Sequence, residues 1–320
     1  MTMVVFPFAE YWPFYLGFLL FVLAMLAVDL GVFHRQAREV TVKEASLWTA
    51  VWIGLALLFN LGFYFYTGSK QLALEFLTGF VVEKSLAIDN IFVFAIVFSY
   101  FAIPKVHQHR VLFFGVLGAL IFRGLFIAMS SYLMAYREVV IFFGVLLMFT
   151  GIKMLLSADK AMEPERSWIL KLLRKLFRID FGSKEKRFFI LKEGKRYATP
   201  LFIALLFIEF TDILFAIDSV PAIFALTHEP FIVFTSNVFA ILGLRSMYFL
   251  LAGAIEQFHY IKYGLAAVLV FVGLKMAWLN EAFGGKFPVS WSLGIIALFI
   301  GASIGFSLFQ KKLASARRHR

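Results

Sequence analysis

The chain has no cysteine in its 320 residues. That excludes disulfides, zinc knuckles, iron–sulfur ligation and thiolate sites for soft metals. Charge is scarce too: 16% of residues are Asp, Glu, Lys or Arg against 62% hydrophobic, and the mean hydropathy is +0.86. Such a composition excludes an ordinary soluble enzyme. No Ser/His/Asp or Cys/His set, phosphate loop or zinc motif is visible either, so no enzymatic activity is expected. What is abundant is apolar: 42 Phe, and runs of about 20 apolar residues that recur along the chain. Lipid is therefore the expected solvent. The net charge of +11 lies between those runs, which points to an orientation signal and anionic lipid and not to nucleic acid.

About nine runs are long enough to cross a bilayer as helices: 12–33, 47–67, 74–101, 111–134, 139–157, 199–226, 231–254, 261–279 and 289–309. They are apolar all round apart from isolated ionisable residues, which favours helical spans over β-barrel strands. The first run follows no basic segment and no A-x-A-like site, so it reads as a retained span. His34, Arg35, Arg38 and Lys43, then Lys105, His107, His109 and Arg110, then a dozen Lys or Arg in 158–198, then Lys311 to Arg320, all fall on one side of this map. The positive-inside rule puts the N-terminus outside and the C-terminus in the cytoplasm. Within 158–198, Trp168, Ile169, Leu172, Leu173, Leu176 and Phe177 alternate with Lys171, Arg174, Lys175 and Arg178 at helical spacing. That predicts an interfacial helix on the anionic cytoplasmic leaflet, with partner recognition as the alternative.

The chain also repeats itself. Glu83-Lys-Ser-Leu-Ala-Ile-Asp89-Asn90 resembles Asp212-Ile-Leu-Phe-Ala-Ile-Asp218-Ser219. Downstream, Val116, Leu120 and Arg123 recur as Val238, Leu242 and Arg245, and Phe149, Gly151, Lys153 and Met154 as Phe271, Gly273, Lys275 and Met276. Each copy holds three spans, and an odd number turns the second copy upside down relative to the first. The expected organisation is one all-α polytopic membrane domain, 1–320: peripheral spans one and two at 12–67, a first repeat at 74–157, and the basic loop at 158–198. A second repeat at 199–279 and a final span at 289–309 complete it. Inverted repeats around a midplane site favour a secondary transporter, because equivalent halves give inward-open and outward-open states of similar energy.

Glu83 and Asp89 in span three, and Glu209, Asp212 and Asp218 in span six, lie inside the bilayer. A charge there costs ~2.5–3.5 kcal/mol, so five acids need a reason. Arg123, Arg245 and Lys84 could neutralise three of them as inter-helix glue, with Arg123 and Arg245 the expected charge-pairing residues. The excess of acid suits a divalent cation or protons. Glu83, Asp89, Asn90, Glu209, Asp212, Asp218 and Ser219 offer only hard oxygen ligands, which leaves manganese, magnesium or calcium. Acids six apart on a straight helix point about 120° apart, so either the spans break near Asp89 and Asp218, as Pro221 permits in the second, or the acids form consecutive sites along a path. Lys153 and Lys275, near span ends, are expected to snorkel, and Asn60 to bond between helices. Gly115, Gly118, Gly243 and Gly273 read as close-packing positions.

At Glu83–Asn90, Tyr197-Ala-Thr-Pro200, Phe215-Ala-Ile-Asp-Ser-Val-Pro-Ala-Ile-Phe224 and Thr235-Ser-Asn-Val-Phe-Ala-Ile-Leu-Gly-Leu-Arg245 the chain resembles the TerC family, in its Alx-like branch. The likeness covers most of residues 20–280. The resemblance implies manganese export across the bacterial inner membrane and a link to alkaline pH and tellurite resistance. It further implies kinship with the LysE-type exporter superfamily and an ion site of Glu83, Asp89, Asp212 and Asp218 with Glu209 beside it. The expected function is then Mn²⁺ export in exchange for protons, with Mn²⁺ as substrate, Mg²⁺ and Ca²⁺ left open, and no permanently bound cofactor. The alternatives are a membrane assembly or metal-delivery partner that supplies exported proteins, and a metal-gated sensor.

Overall fold

The computed structural model describes residues 6–28, 40–134, 136–156, 168–180, 182, 187–192, 194–251, 260–284 and 287–318, without the side chains of Asp89, Phe92, Ile261 and 311–318. Residues 158–167, 181, 183–186 and 193 of the loop at 158–198, the first basic cluster at 34–38 and the basic side chains of the tail therefore lie outside what is described. The elements run α1 (Phe8–Val28), α2 (Val42–Thr67), α3 (Lys70–Tyr100), α4 (Lys105–Leu133), α5 (Arg137–Leu156), α6 (Trp168–Leu176), β1 (Phe189–Lys192) and β2 (Lys195–Ala198). Then come α7 (Pro200–Phe224), α8 (Pro230–Leu242), α9 (Leu244–Leu251), α10 (Ile261–Leu274), a π-helical turn (Lys275–Leu279), α11 (Asn280–Ala282) and α12 (Val289–Arg318). This is an all-α polytopic membrane protein, and the described part of each apolar run named above falls on one of these helices or a pair of them. Among the described residues seven helices satisfy length and apolar composition for a span, and α8 with α9, bent by 40° at the break between them, satisfies both only as a pair, which fits a broken span or a re-entrant turn. The 31-residue α3 is long enough, but Glu75, Glu83, Lys84 and Asp89 lower its hydropathy.

Local chemistry sets the helix ends. Thr41 caps α2 by accepting from the Glu44 amide at 3.3 Å, and Gly68 ends it in the left-handed region at φ 63°. Ser69 then caps α3 at once, accepting from the Leu72 amide at 3.3 Å, so two residues turn the chain back on itself. Pro200 and Pro230 open α7 and α8 in the first turn, where a missing N–H costs nothing.

The interior is built by α3, α4, α7, α8 and α10, with α7 and α8 the most enclosed. By contrast α1, α2, α5 and α12 carry large exposed apolar side chains such as Leu58, Phe65, Phe142 and Leu298, as a lipid-facing surface should. The main contacts are α3 with α8, α4 with α7, and α5 with α10. Exchanging α3 with α7, α4 with α8 and α5 with α10 returns the same set of pairs. The α5/α10 contact repeats this atom by atom. A Cβ on Gly151 would lie 2.7 Å from the Ala266 carbonyl oxygen, and one on Gly273 would lie 2.5 Å from that of Gly144. Ala266 follows Gly144 by the same 122 residues that separate Gly273 from Gly151. Small residues let two antiparallel backbones touch where lipid supplies no hydrophobic drive for association.

Three points narrow or correct the expectations. First, of the two arrangements open for the acids, broken spans are not the one found: α3 and α7 run unbroken past Asp89 and Asp218, and Pro221 sits in the last turn of α7; the bend comes at Gly243 and the irregular turn at Lys275. Second, α6 does not lie flat with its apolar face on lipid. Trp168 meets Phe210 and Phe177 meets Phe202, so α6 runs antiparallel alongside α7, and Ile169, Leu170 and Leu173 are buried among residues of α3, α4 and α7. The 158–198 segment also contains an unanticipated β-hairpin, turned at Gly194 with φ 72°. Third, Lys275 does not snorkel: it is 1% exposed in the π-helical turn, with its ammonium 6.0 Å from the centre of the Phe287 ring. Lys153, its mate in the repeat, is exposed.

Candidate ion site

Residues seven apart on a helix are separated by nearly two full turns and share a face. Glu83 and Asn90 on α3 are such a pair, and Asp212 and Ser219 on α7 are another. The crossing of α3, α4, α7 and α8 brings these faces together around Arg123 of α4, which is 2% exposed. Its Nε donates to Asp212 Oδ2 at 3.0 Å and its Nη2 to Asp212 Oδ1 at 2.8 Å, a two-pronged bond that fits the planar guanidinium. Its Nη1 donates to Glu83 Oε1 and, at 3.3 Å, to Asn237 Oδ1 of α8. Asn90 Nδ2 completes the cluster by donating to Asp212 Oδ1 at 3.0 Å. One guanidinium thus joins the leading acids of the two repeat motifs.

Asp218 faces elsewhere, accepting from the Thr150 hydroxyl of α5 at 3.4 Å. Asp212 and Asp218 therefore have separate partners, as consecutive positions along a path would. Asp218 lines an enclosed cavity of about 70 Å³ together with Glu83, Asn90, Arg123, Thr150 and Ser219, among others, whereas Asp212 does not line it. At roughly 15 Å³ per water centre it holds several waters or a partly dehydrated cation. Two buried atoms of these residues, Glu83 Oε2 and Ser219 Oγ, have no hydrogen-bond partner among the described residues. A buried polar atom left so costs free energy unless something occupies the cavity.

The remaining residues are placed as follows. The Glu209 carboxyl occupies the space left by the absent side chain of Gly118, where a Cβ would overlap it, and its Oε2 is also buried without a partner. Lys84 is not a counter-ion to the acids. Its ammonium donates to the Ala240 carbonyl at 3.1 Å in room left by Gly243, capping the end of α8 where the span bends. Arg245 is buried in α9, just past that bend. The backbone of Asp89 lies in α3, and its side chain is outside the described residues. Asn60 Oδ1 is buried without the inter-helix bond expected of it. Thr150 and Asn237 were not singled out by sequence; a hydroxyl and an amide inside apolar spans were the available signals. Among the described residues no three His, Asp or Glu side chains form a ready-made metal cage, so a cation here would share carboxylates with amide, hydroxyl and water oxygens.

Residues 68–317 match the model of the integral membrane protein TerC family. The chain belongs to the TerC family. An uncharacterized membrane protein of Myxococcus xanthus is 49% identical over 93% of this chain and 92% of its own length. The Escherichia coli (strain K12) protein Alx, whose name proposes a membrane-bound redox modulator, is 44% identical over 88% of this chain and 89% of its own. An uncharacterized membrane protein of Rickettsia felis is 42% identical over 79% and 84%. No solved structure matches the chain. The TerC motifs fall where the site is: Glu83 to Asn90 supplies one wall, and Asp212 to Ser219 the other.

Proposed function

We propose that this TerC protein is a secondary transporter that exports a divalent cation, Mn²⁺ foremost, in exchange for protons. The observation that carries the reading is the cavity beside Arg123, where oxygen ligands from both halves of the repeat meet and two of them lack a partner. Glu83, Asp212 and Asp218, when ionised, outweigh the single positive charge of Arg123 by two even before Glu209 and Asp89 are counted, an excess of acid that suits a divalent ion or protons. The donors are all hard oxygen atoms, which favours Mn²⁺, Mg²⁺ or Ca²⁺ over copper or zinc. The packing that maps onto itself when the halves are exchanged supports alternating access, since such halves can trade conformations at little cost. Carboxylates must be deprotonated to coordinate a metal, so ion entry expels protons and supplies the coupling.

A relative's name proposes redox modulation. This chain has no thiol with which to exchange disulfides. In our reading, an effect of that kind arises through the supply of a redox-active metal ion. The test is Mn²⁺ flux in proteoliposomes with the pH gradient set and then reversed. Export should follow the gradient, and Asp218→Asn, which keeps volume and oxygen but removes charge, should abolish flux in a folded protein. Flux indifferent to the gradient, or intact in Asp218→Asn, would overturn the reading.

A further inference from the structure

The loop at 158–198 keeps an unexplained surface once α6 is accounted for. In β1 the side chains alternate: Ile190 is buried, while Phe189 and Leu191 on the other face are 45% and 70% exposed. Leu176, at the end of α6, is 63% exposed beside them. All three line a cavity of about 710 Å³ whose remaining wall, among the described residues, contains Arg178, Arg187 and Arg196 and no acidic residue. None of these arginines has an ion-pair partner among the described residues. The start of α7 holds the backbones of two of them in place. The Arg178 carbonyl accepts from the Ala198 amide at 2.8 Å, and the Arg187 carbonyl from the Thr199 hydroxyl at 2.8 Å.

Depth decides what such a cavity meets. Phe188, adjoining it, has the Arg110 guanidinium 4.8 Å from its ring centre and the Phe114 ring at 5.3 Å. Arg110 is the last charge on α4 before the apolar stretch that runs to Arg123, so it marks the polar edge of that span. The hairpin is therefore level with lipid headgroups, on the side that the basic loops assign to the cytoplasm.

We propose that this cavity binds an anionic phospholipid, with its phosphate on Arg178, Arg187 and Arg196 and its acyl chains leaving over Leu176, Phe189 and Leu191. Guanidinium matches phosphate in two-pronged bonds, and the apolar rim matches hydrocarbon. Three cations favour a headgroup with two phosphates over one. The bound lipid fixes the start of α7, the helix that carries Asp212 and Asp218. This proposal is independent of which ion the protein moves.

The test is native mass spectrometry of the delipidated full-length protein in detergent, titrated with cardiolipin, phosphatidylglycerol, phosphatidylcholine and inorganic phosphate. Cardiolipin should bind tightest and phosphatidylcholine weakest. Arg178→Gln, Arg187→Gln and Arg196→Gln together should weaken cardiolipin on the order of a hundredfold. Lys171→Gln, Arg174→Gln and Lys175→Gln, an equal loss of charge on α6, should change it less than about twofold. Each single arginine variant should lose about fivefold, which keeps the test usable if the triple variant does not fold. Equal losses in the two triple variants would reduce the cavity to a generally basic surface and overturn the proposal. Displacement of cardiolipin by millimolar inorganic phosphate would overturn it too, in favour of a soluble anion.

Discussion

Replacing Arg123 by glutamine is the sharpest perturbation available, because one guanidinium bonds Glu83, Asp212 and Asn237 at once. Both residues are at most 5% exposed, so the few waters the neighbouring cavity can hold are a poor substitute for the lost cation. Glutamine can donate to one of them but leaves two buried negative charges facing each other. Removing one member of a buried ion pair costs about 3–5 kcal/mol, and with two acids abandoned the upper part of that range applies. Adding Asp212→Asn removes one abandoned charge and turns a repulsion into an amide contact. The double variant should therefore be more stable than the sum of the single variants by about 2 kcal/mol. Unfolding of purified protein in mixed micelles with increasing SDS measures all three. Arg123→Lys is the control for geometry: it keeps the charge but not the two-pronged bond, and should fall between wild type and Arg123→Gln. A loss below about 1 kcal/mol for Arg123→Gln, or strict additivity in the double variant, would refute the reasoning.

Gly118→Ala should push the Glu209 carboxyl out of its place, cutting Mn²⁺ flux several-fold while costing less than about 1.5 kcal/mol, since the displaced group is the end of a flexible side chain. Unchanged flux would remove Glu209 from the ion path. Gly273→Ala meets backbone instead, at 2.5 Å from the Gly144 carbonyl oxygen, and should cost about 1–3 kcal/mol in the same SDS assay. Gly301→Ala, with nothing within 4 Å, should stay within about 0.5 kcal/mol. The ion pair with Lys192 holds the Asp180 carboxyl below its ordinary value near 3.8, so its contribution to stability is present above that value and is lost as pH falls through the lower folded one. An NMR titration should show this, and Lys192→Ala should return the carboxyl toward 3.8.

What could be read from sequence was whatever lipid enforces. A bilayer demands long apolar helices, so the runs at 47–67 and 199–226 lie on α2 and α7 within a few residues of the expected ends. The two acid motifs were legible for the same reason: Glu83, Asp212 and Asp218 stand out against an apolar background. Direction was harder. The pattern of α6 names an apolar face but not what covers it, and Leu173 is covered by protein where lipid was expected. Lys84 and Lys275 look like any buried cation in sequence. Only the bend at Gly243 shows Lys84 capping α8, and only the π-helical turn carries Lys275 inward to Phe287. The hairpin escaped because strands of four residues carry little periodicity, although Gly194 between two Lys-rich flanks was a usable turn signal.

The position of Arg123 constrains how the site can work. A bundle with several buried acids and no cation would be hard to hold together between transport events, because each unpaired charge weakens the packing around it. Arg123 supplies a cation that never leaves: by binding Asp212 with two nitrogens and Glu83 with a third, it ties α3, α4 and α7 together whether or not an ion is present. The free atoms then fall on one side. Among the described residues Glu83 Oε2 and Ser219 Oγ are unpartnered, Asp218 is held by one long bond from Thr150, and all three residues line the cavity. On the proposed transport reading, an incoming divalent ion would not have to displace the guanidinium, since the second oxygen of Glu83, Asp218 and Ser219 are available to it. In that arrangement Arg123 sets the charge left for the ion to neutralise, and Asp218 is the acid most exposed to the ion's arrival and departure.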